Sequence, residues 1–273
     1  MSRPAFDRLL AVVGRELTTV VRTRAFLALT AGFAAVVGML AWTANAGGYV
    51  PLVLDLLAPV EVLVPALALA FGYRALLGDD ERGELDVVRT YPVSRATFVF
   101  GTYLGRASAL LVAVLVPLLA VAAVVPLSGG TESSFLATHA GMDSPIRYVR
   151  FVVLTAGFAL VVAAVAIAIS ATAGTARAGL ALATAFGVAL VLGFDAGLVA
   201  GLAGGVVPDA ALPSLLALSP NSAFRGLVLE TVVGGVETGT PAASPVAGLA
   251  GLGAWLVASL AVAVFAVWPK TDR

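Results

Sequence analysis

The stretch "GDDERGELDVVRTYPVSRATFVFGTYLGR", Gly78 to Arg106, decides how the rest of the chain is read. Together with Arg74, one helical turn upstream, it carries ten of the chain's 32 charged side chains, which are 16 Lys and Arg and 16 Asp and Glu. Apolar runs flank it on both sides. Its first part, Asp80 to Tyr91, can form a helix with Leu85, Val88 and Tyr91 on one side. Asp79, Asp80, Glu81 and Glu84 crowd the positive end of that helix's dipole, and Arg89 lies near the negative end. Pro92 disfavours a helical residue before it and has no N–H to donate, so it ends the helix. Ser94 follows as an N-cap for the next apolar run. The segment therefore reads as a short charged amphipathic helix and a sharp turn between two hydrophobic helices. On residue pattern alone it is equally well a solvated connector.

Working outward, the chain has 273 residues, 60% hydrophobic and 12% charged, with a mean hydropathy of +1.03. A soluble domain carries about 25% charged residues. Six apolar runs are long enough to cross a bilayer, at about 1.5 Å per helical residue. They span about 26–44, 56–77, 98–125, 151–171, 179–202 and 246–268, with Trp42 and Trp268 near interfaces. The expected fold class is an all-α polytopic membrane protein, a single domain over 1–273 in the cell membrane. Residues 1–25 differ from the spans: Leu9, Val13, Leu17 and Val20 fall on one helical face, with five arginines, Asp7 and Glu16 largely elsewhere. That pattern predicts an amphipathic helix lying in the membrane interface, not a cleavable signal.

Orientation follows from Lys and Arg in the flanks. With the N-terminus inside, thirteen of these 16 residues are inside and only Arg147, Arg150 and Arg225 are outside. Both termini and residues 78–95 are therefore expected on the cytoplasmic side. Two outer connections are long, Leu127–Arg147 and about 203–245. The second holds two apolar pieces, Leu212–Leu218 and Ala223–Val233, split by Ser219-Pro220-Asn221. They predict a short helical pair at the outer leaflet, with Asn221 or Ser222 as its cap.

Composition excludes several functions. No nucleic-acid partner is expected, though a net charge of zero in itself says nothing about one, and without cysteines there is no thiolate metal site. The sequence contains no nucleophile elbow, zinc-protease helix or phosphate-binding glycine loop. His139, the only histidine, lies in an outer loop. Glu61 and Asp195 are the candidate intramembrane polar sites, because a carboxylate at that depth is costly. They are also the only residues on which a secondary carrier could be built.

The residues Glu81-Arg82-Gly83-Glu84-Leu85, then Tyr91-Pro92-Val93-Ser94-Arg95, then Gly101 and Leu104-Gly105 resemble the hallmark of type-2, exporter-type ABC permeases. Glu84 stands where that pattern has Thr, and Thr102 where it has Lys. The likeness extends to the amphipathic N-terminal helix, the six spans and the broken helical pair before the last span. Within the family the chain is similar to permeases of nitrous-oxide-reductase maturation and to multidrug-type exporters. The resemblance implies a permease without a nucleotide site, paired with a second permease copy or a related permease. ATP-Mg would bind on a cytoplasmic ABC ATPase, and no cofactor on this chain. It makes residues 78–95 a coupling element, with Glu81, Arg82, Gly83, Glu84, Leu85, Val88, Arg89, Tyr91, Pro92, Val93, Ser94 and Arg95 as the ATPase-coupling residues and Leu85, Val88 and Tyr91 as the apolar anchor. The alternatives are a secondary carrier and a non-transporting assembly factor.

Overall fold

The computed structural model describes residues 5–43, 48–91, 93–123, 144–205, 215–234 and 244–268, apart from the side chains of Ala5, Arg89 and Asp195. Pro92, His139 and most of the first long outer connection lie outside the described residues. Among the described residues, six helical stretches are long and apolar enough to cross a membrane: Arg24–Thr43, Tyr49–Glu81, Arg95–Ala122, Pro145–Thr172, Ala176–Gly193 and Pro245–Ala266.

The chain opens with α1 (Ala5–Val21) and the first span α2 (Arg24–Thr43). The second span, α3 (Tyr49–Gly72), leads through a turn to two short helices, α4 (Leu77–Glu81) and α5 (Glu84–Thr90). The third and fourth spans are α6 (Arg95–Ala122) and α7 (Pro145–Thr172). The fifth is α8 (Ala176–Val188), which passes through a π-helical turn (Ala189–Gly193) into α9 (Phe194–Ala203). The remaining described elements are a 3-10 turn (Leu216–Leu218), α10 (Pro220–Val228) with a π-helical extension (Leu229–Gly234), and the last span α11 (Pro245–Ala266).

Helices α3, α6 and α7 make the centre. Their buried side chains include Leu52, Leu56, Val60, Leu110, Val114, Leu118, Phe151, Phe158 and Ile167. Small residues let the backbones approach, as expected where helix association in lipid depends on packing. A methyl group on Gly72 of α3 would overlap Ala166 of α7. Helices α2, α8 and α11 form the rim and leave apolar faces uncovered, including Trp42, Leu180, Leu192, Val257 and Phe265.

Several boundaries differ from the sequence reading, for local reasons. Helix α3 begins at Tyr49 rather than near Leu56, so Asp55 sits inside its early turns. Helix α7 begins at Pro145, where Ser144 accepts a hydrogen bond from the Ile146 N–H and proline occupies the first turn. The cap of α10 is Ser219, not Asn221 or Ser222, because Pro220 takes the first helical position and the Ser219 hydroxyl accepts from the Ser222 N–H.

Candidate functional site

The charged stretch is not one helix. Gly83 adopts φ +71°, a left-handed conformation that L side chains rarely adopt, and this splits the segment into α4 and α5. The split changes which residues face outward. Leu85 is 3% exposed and belongs to the central core, and Val88 packs against that core. Val87 and Tyr91, at 59% and 63%, face away from the protein. The expected anchor of Leu85, Val88 and Tyr91 is therefore divided: the first two hold the loop to the bundle, and the outward apolar pair is Val87 and Tyr91. Tyr91 has extended backbone, as a residue before proline should. Val93 packs on the core's edge, and the Ser94 hydroxyl accepts from the Thr97 N–H at 3.1 Å, capping α6.

The inward side of the loop is tied by charge. Arg15 of α1 donates to Asp79 of α4 at 2.6 Å and to Glu84 of α5 at 3.3 Å. Arg82 donates to the other Asp79 oxygen at 2.6 Å and to Glu84, also at 2.6 Å. Asp79 is buried, and each of its two oxygens accepts from a different guanidinium group. The hydrogen bond from Arg82 holds the Glu84 carboxyl below the usual carboxylate range, and the same bond raises Arg82. Partial burial works against the Arg15 charge, yet the nearby Asp79 leaves Arg15 raised overall. Arg15 also donates to Glu16, which accepts from Arg106 of α6 at 3.0 Å. Arg106 then donates to the Phe71 carbonyl at 2.5 Å, in the last turn of α3, where carbonyls lack helical partners. Glu16 is 2% exposed, so it lies on the packed face of α1, not among the outward charges as its helical position suggested.

Helix α1 is seated on α6 by Gly101 and Gly105, one turn apart. A Cβ on Gly101 would come within 2.6 Å of Val12, and one on Gly105 within 2.6 Å of the Glu16 Cβ and 2.8 Å of the Val13 carbonyl oxygen. The loop's third support is α7: the Ser170 hydroxyl oxygen accepts from the Leu76 and Leu77 N–H groups at 3.0 and 3.1 Å. The fourth is Glu81, which accepts from Arg74 and from the Ala176 N–H that opens α8. Arg95 lies over the Trp268 ring, 5.4 Å from its centre, beside a cavity of about 710 Å³ that Asp80 and Leu85 also line.

Two candidates lay within the spans. Glu61 of α3, 2% exposed, is paired with Arg225 of α10 through both oxygens; the Nε–Oε1 distance is 2.8 Å. The pair ties α10 to α3 at the end of the molecule away from the loop. Arg147 there donates to the Val232 and Val233 carbonyls at 2.7 and 2.8 Å, which the π-helical ending of this segment presents. The Asp195 side chain lies outside the described residues. Between α3 and α8 is an apolar cavity of about 490 Å³, lined in part by Pro65, Leu69, Leu180, Gly187 and Leu192.

The family model for ABC-2 family transporter proteins matches residues 10–272. Two curated relatives are each named "Probable ABC transporter permease protein NosY". The one from Stutzerimonas stutzeri is 32% identical over 112 residues, covering 38% of this chain and 41% of that protein. The one from Pseudomonas aeruginosa is 32% identical over 126 residues, covering 42% and 46%. The chain thus matches these relatives over less than half their length.

Proposed function

We propose a function from one premise: the chain belongs to the ABC-2 family of transporter proteins. On that premise it is the membrane permease subunit of an ATP-binding cassette transporter, in the cell membrane. It forms the translocation path, and ATP-Mg is bound and hydrolysed on a separate ATPase. The observation that carries this reading is the two-sided build of residues 77–91. One side is bonded to α1, α7 and α8, and the other presents Val87, Tyr91, Asp80 and Asp86 outward. A surface with a small apolar centre and flanking charges suits a protein partner, since charges set register and apolar side chains supply affinity. Rigid internal bonding lets that surface move as a unit with the spans.

The finer parts of the proposal are that both termini and the loop face the cytoplasm, that transport is outward, and that a second permease copy completes the path. The Lys and Arg distribution supports the first. The last is what the family likeness implies. The secondary-carrier alternative is weakened because Glu61, one of its two candidate carboxylates, is already engaged with Arg225.

Affinity purification of the tagged chain from its native membranes tests the function. An ABC ATPase is expected to co-purify, and ATP hydrolysis by the complex is expected to depend on it. Full transport by vesicles containing this chain alone, without ATP, would remove the proposal.

A further inference from the structure

Glu81 stands where the loop meets two spans. Its Oε2 accepts from Arg74 at 2.7 Å, just past the end of α3. Its Oε1 accepts from the Ala176 N–H at 2.8 Å, at the first residue of α8. The first N–H groups of a helix have no helical partner and sit at the positive end of its dipole, so a carboxylate there both satisfies a donor and matches the field. Gly179, one turn into α8, is seated on the same corner: a Cβ there would lie 3.1 Å from Leu77 and 3.4 Å from the Tyr73 carbonyl oxygen.

Farther along, the same two spans line the apolar cavity, and both are irregular there. Pro65 of α3 cannot donate to the Glu61 carbonyl, four residues earlier. In the fifth span the π-helical turn Ala189–Gly193 interrupts the regular ladder, and Val191 and Leu192 of that turn line the cavity with Pro65. Prolines and π-helical turns are where helices bend. The fifth span is thus gripped at its start and bendable halfway.

We propose that Glu81 is a positioning residue that carries displacement of residues 77–91 to the start of α8 and so sets the separation of α3 and α8 at the cavity. Its partners belong to this chain, so its task differs from meeting the ATPase surface. The inference rests on the permease reading above.

The chain has no cysteine, so Ala66→Cys with Leu192→Cys introduces one spin-label pair across the cavity. The complex with its ATPase, in lipid nanodiscs, is measured with and without a non-hydrolysable ATP analogue. The analogue is expected to shift the α3–α8 distance distribution when Glu81 is present. Glu81→Ala is expected to lose that shift while still retaining the ATPase and binding the analogue. Glu81→Gln, whose carbonyl oxygen can still accept from the Ala176 N–H, and Arg74→Ala are expected to keep it. A control pair, Val112→Cys with Val153→Cys, reports α6 against α7 and is expected to be unchanged throughout. A full shift in Glu81→Ala overturns the proposal, as does a loss in Glu81→Gln as complete as in Glu81→Ala. A changed control pair in Glu81→Ala overturns it too, because the residue is then only structural. If the ATPase binds and Glu81 is present but no shift occurs, the link falls alone. If no ATPase co-purifies, the permease reading falls and the link with it.

Discussion

Removing Arg225 takes the guanidinium partner away from a buried carboxylate and so tests the packing logic. Glu61 is 2% exposed and accepts from Arg225 through both oxygens. Breaking a buried ion pair by deleting one partner costs about 3–5 kcal/mol, because the other charge is left without compensation. The Arg225 side chain is 42% exposed, so water already shares part of its charge and the lower end, about 3 kcal/mol, applies. Arg225→Ala should therefore loosen α10 and its π-helical extension. At about 1.4 kcal/mol per factor of ten, amide exchange in residues 220–234 should rise roughly a hundredfold. The double variant Glu61→Gln/Arg225→Ala removes both charges and should recover much of that protection, giving a non-additive cycle. Hydrogen exchange by mass spectrometry in nanodiscs reads all three proteins. Unchanged exchange in Arg225→Ala, or strictly additive effects, would refute the claim that the pair holds the segment.

Gly105→Ala should lift α1 from α6 at a cost of about 1–3 kcal/mol, the range for overpacking, and speed tryptic cleavage at Arg8 or Arg22. Leu85→Ala should lower thermal stability by about 2–5 kcal/mol, as for other buried leucines, in thermal melts of the purified chain. Val87→Asp and Tyr91→Ala, at outward positions, should leave the melting temperature nearly unchanged yet reduce ATPase co-purification at least tenfold. Trp255→Phe should cost about 0.5–1.5 kcal/mol in the same melts, through loss of the hydrogen bond from its indole to the Leu218 carbonyl.

The all-helical, six-span architecture was legible because hydrophobic length is written residue by residue. The Ser94 cap and the stop before Pro92 were legible because capping and proline effects act within one turn. The loop's outward face was not. A single helical period run through Asp80–Tyr91 puts Leu85, Val88 and Tyr91 together, whereas the left-handed Gly83 restarts the phase and separates them. Gly83 was in the quoted motif, and its position between two charged runs was the available signal. The burial of Glu16 is hidden for another reason. Its place among the polar residues of α1 gives no sign of burial, which depends on hydrogen bonds from its neighbour Arg15 and from Arg106, ninety residues away. Glu61 stands out by its depth, but its partner is on α10, 164 residues later in the chain. Long-range charge partners leave no local pattern.

The seat of α1 has a consequence for how the protein is made. Helix α1 leaves the ribosome before any residue that holds it exists. Asp79 is 64 residues downstream of Arg15, and Arg106 is 90 residues downstream of Glu16. At about 5–20 residues per second, α1 waits on the order of 5–20 s for α6 to arrive. Its packed face, with Val12 and Glu16 over Gly101 and Gly105, stays without its seat until then. The joint between α1 and α6 is thus a late one, closed only once the third span has been made.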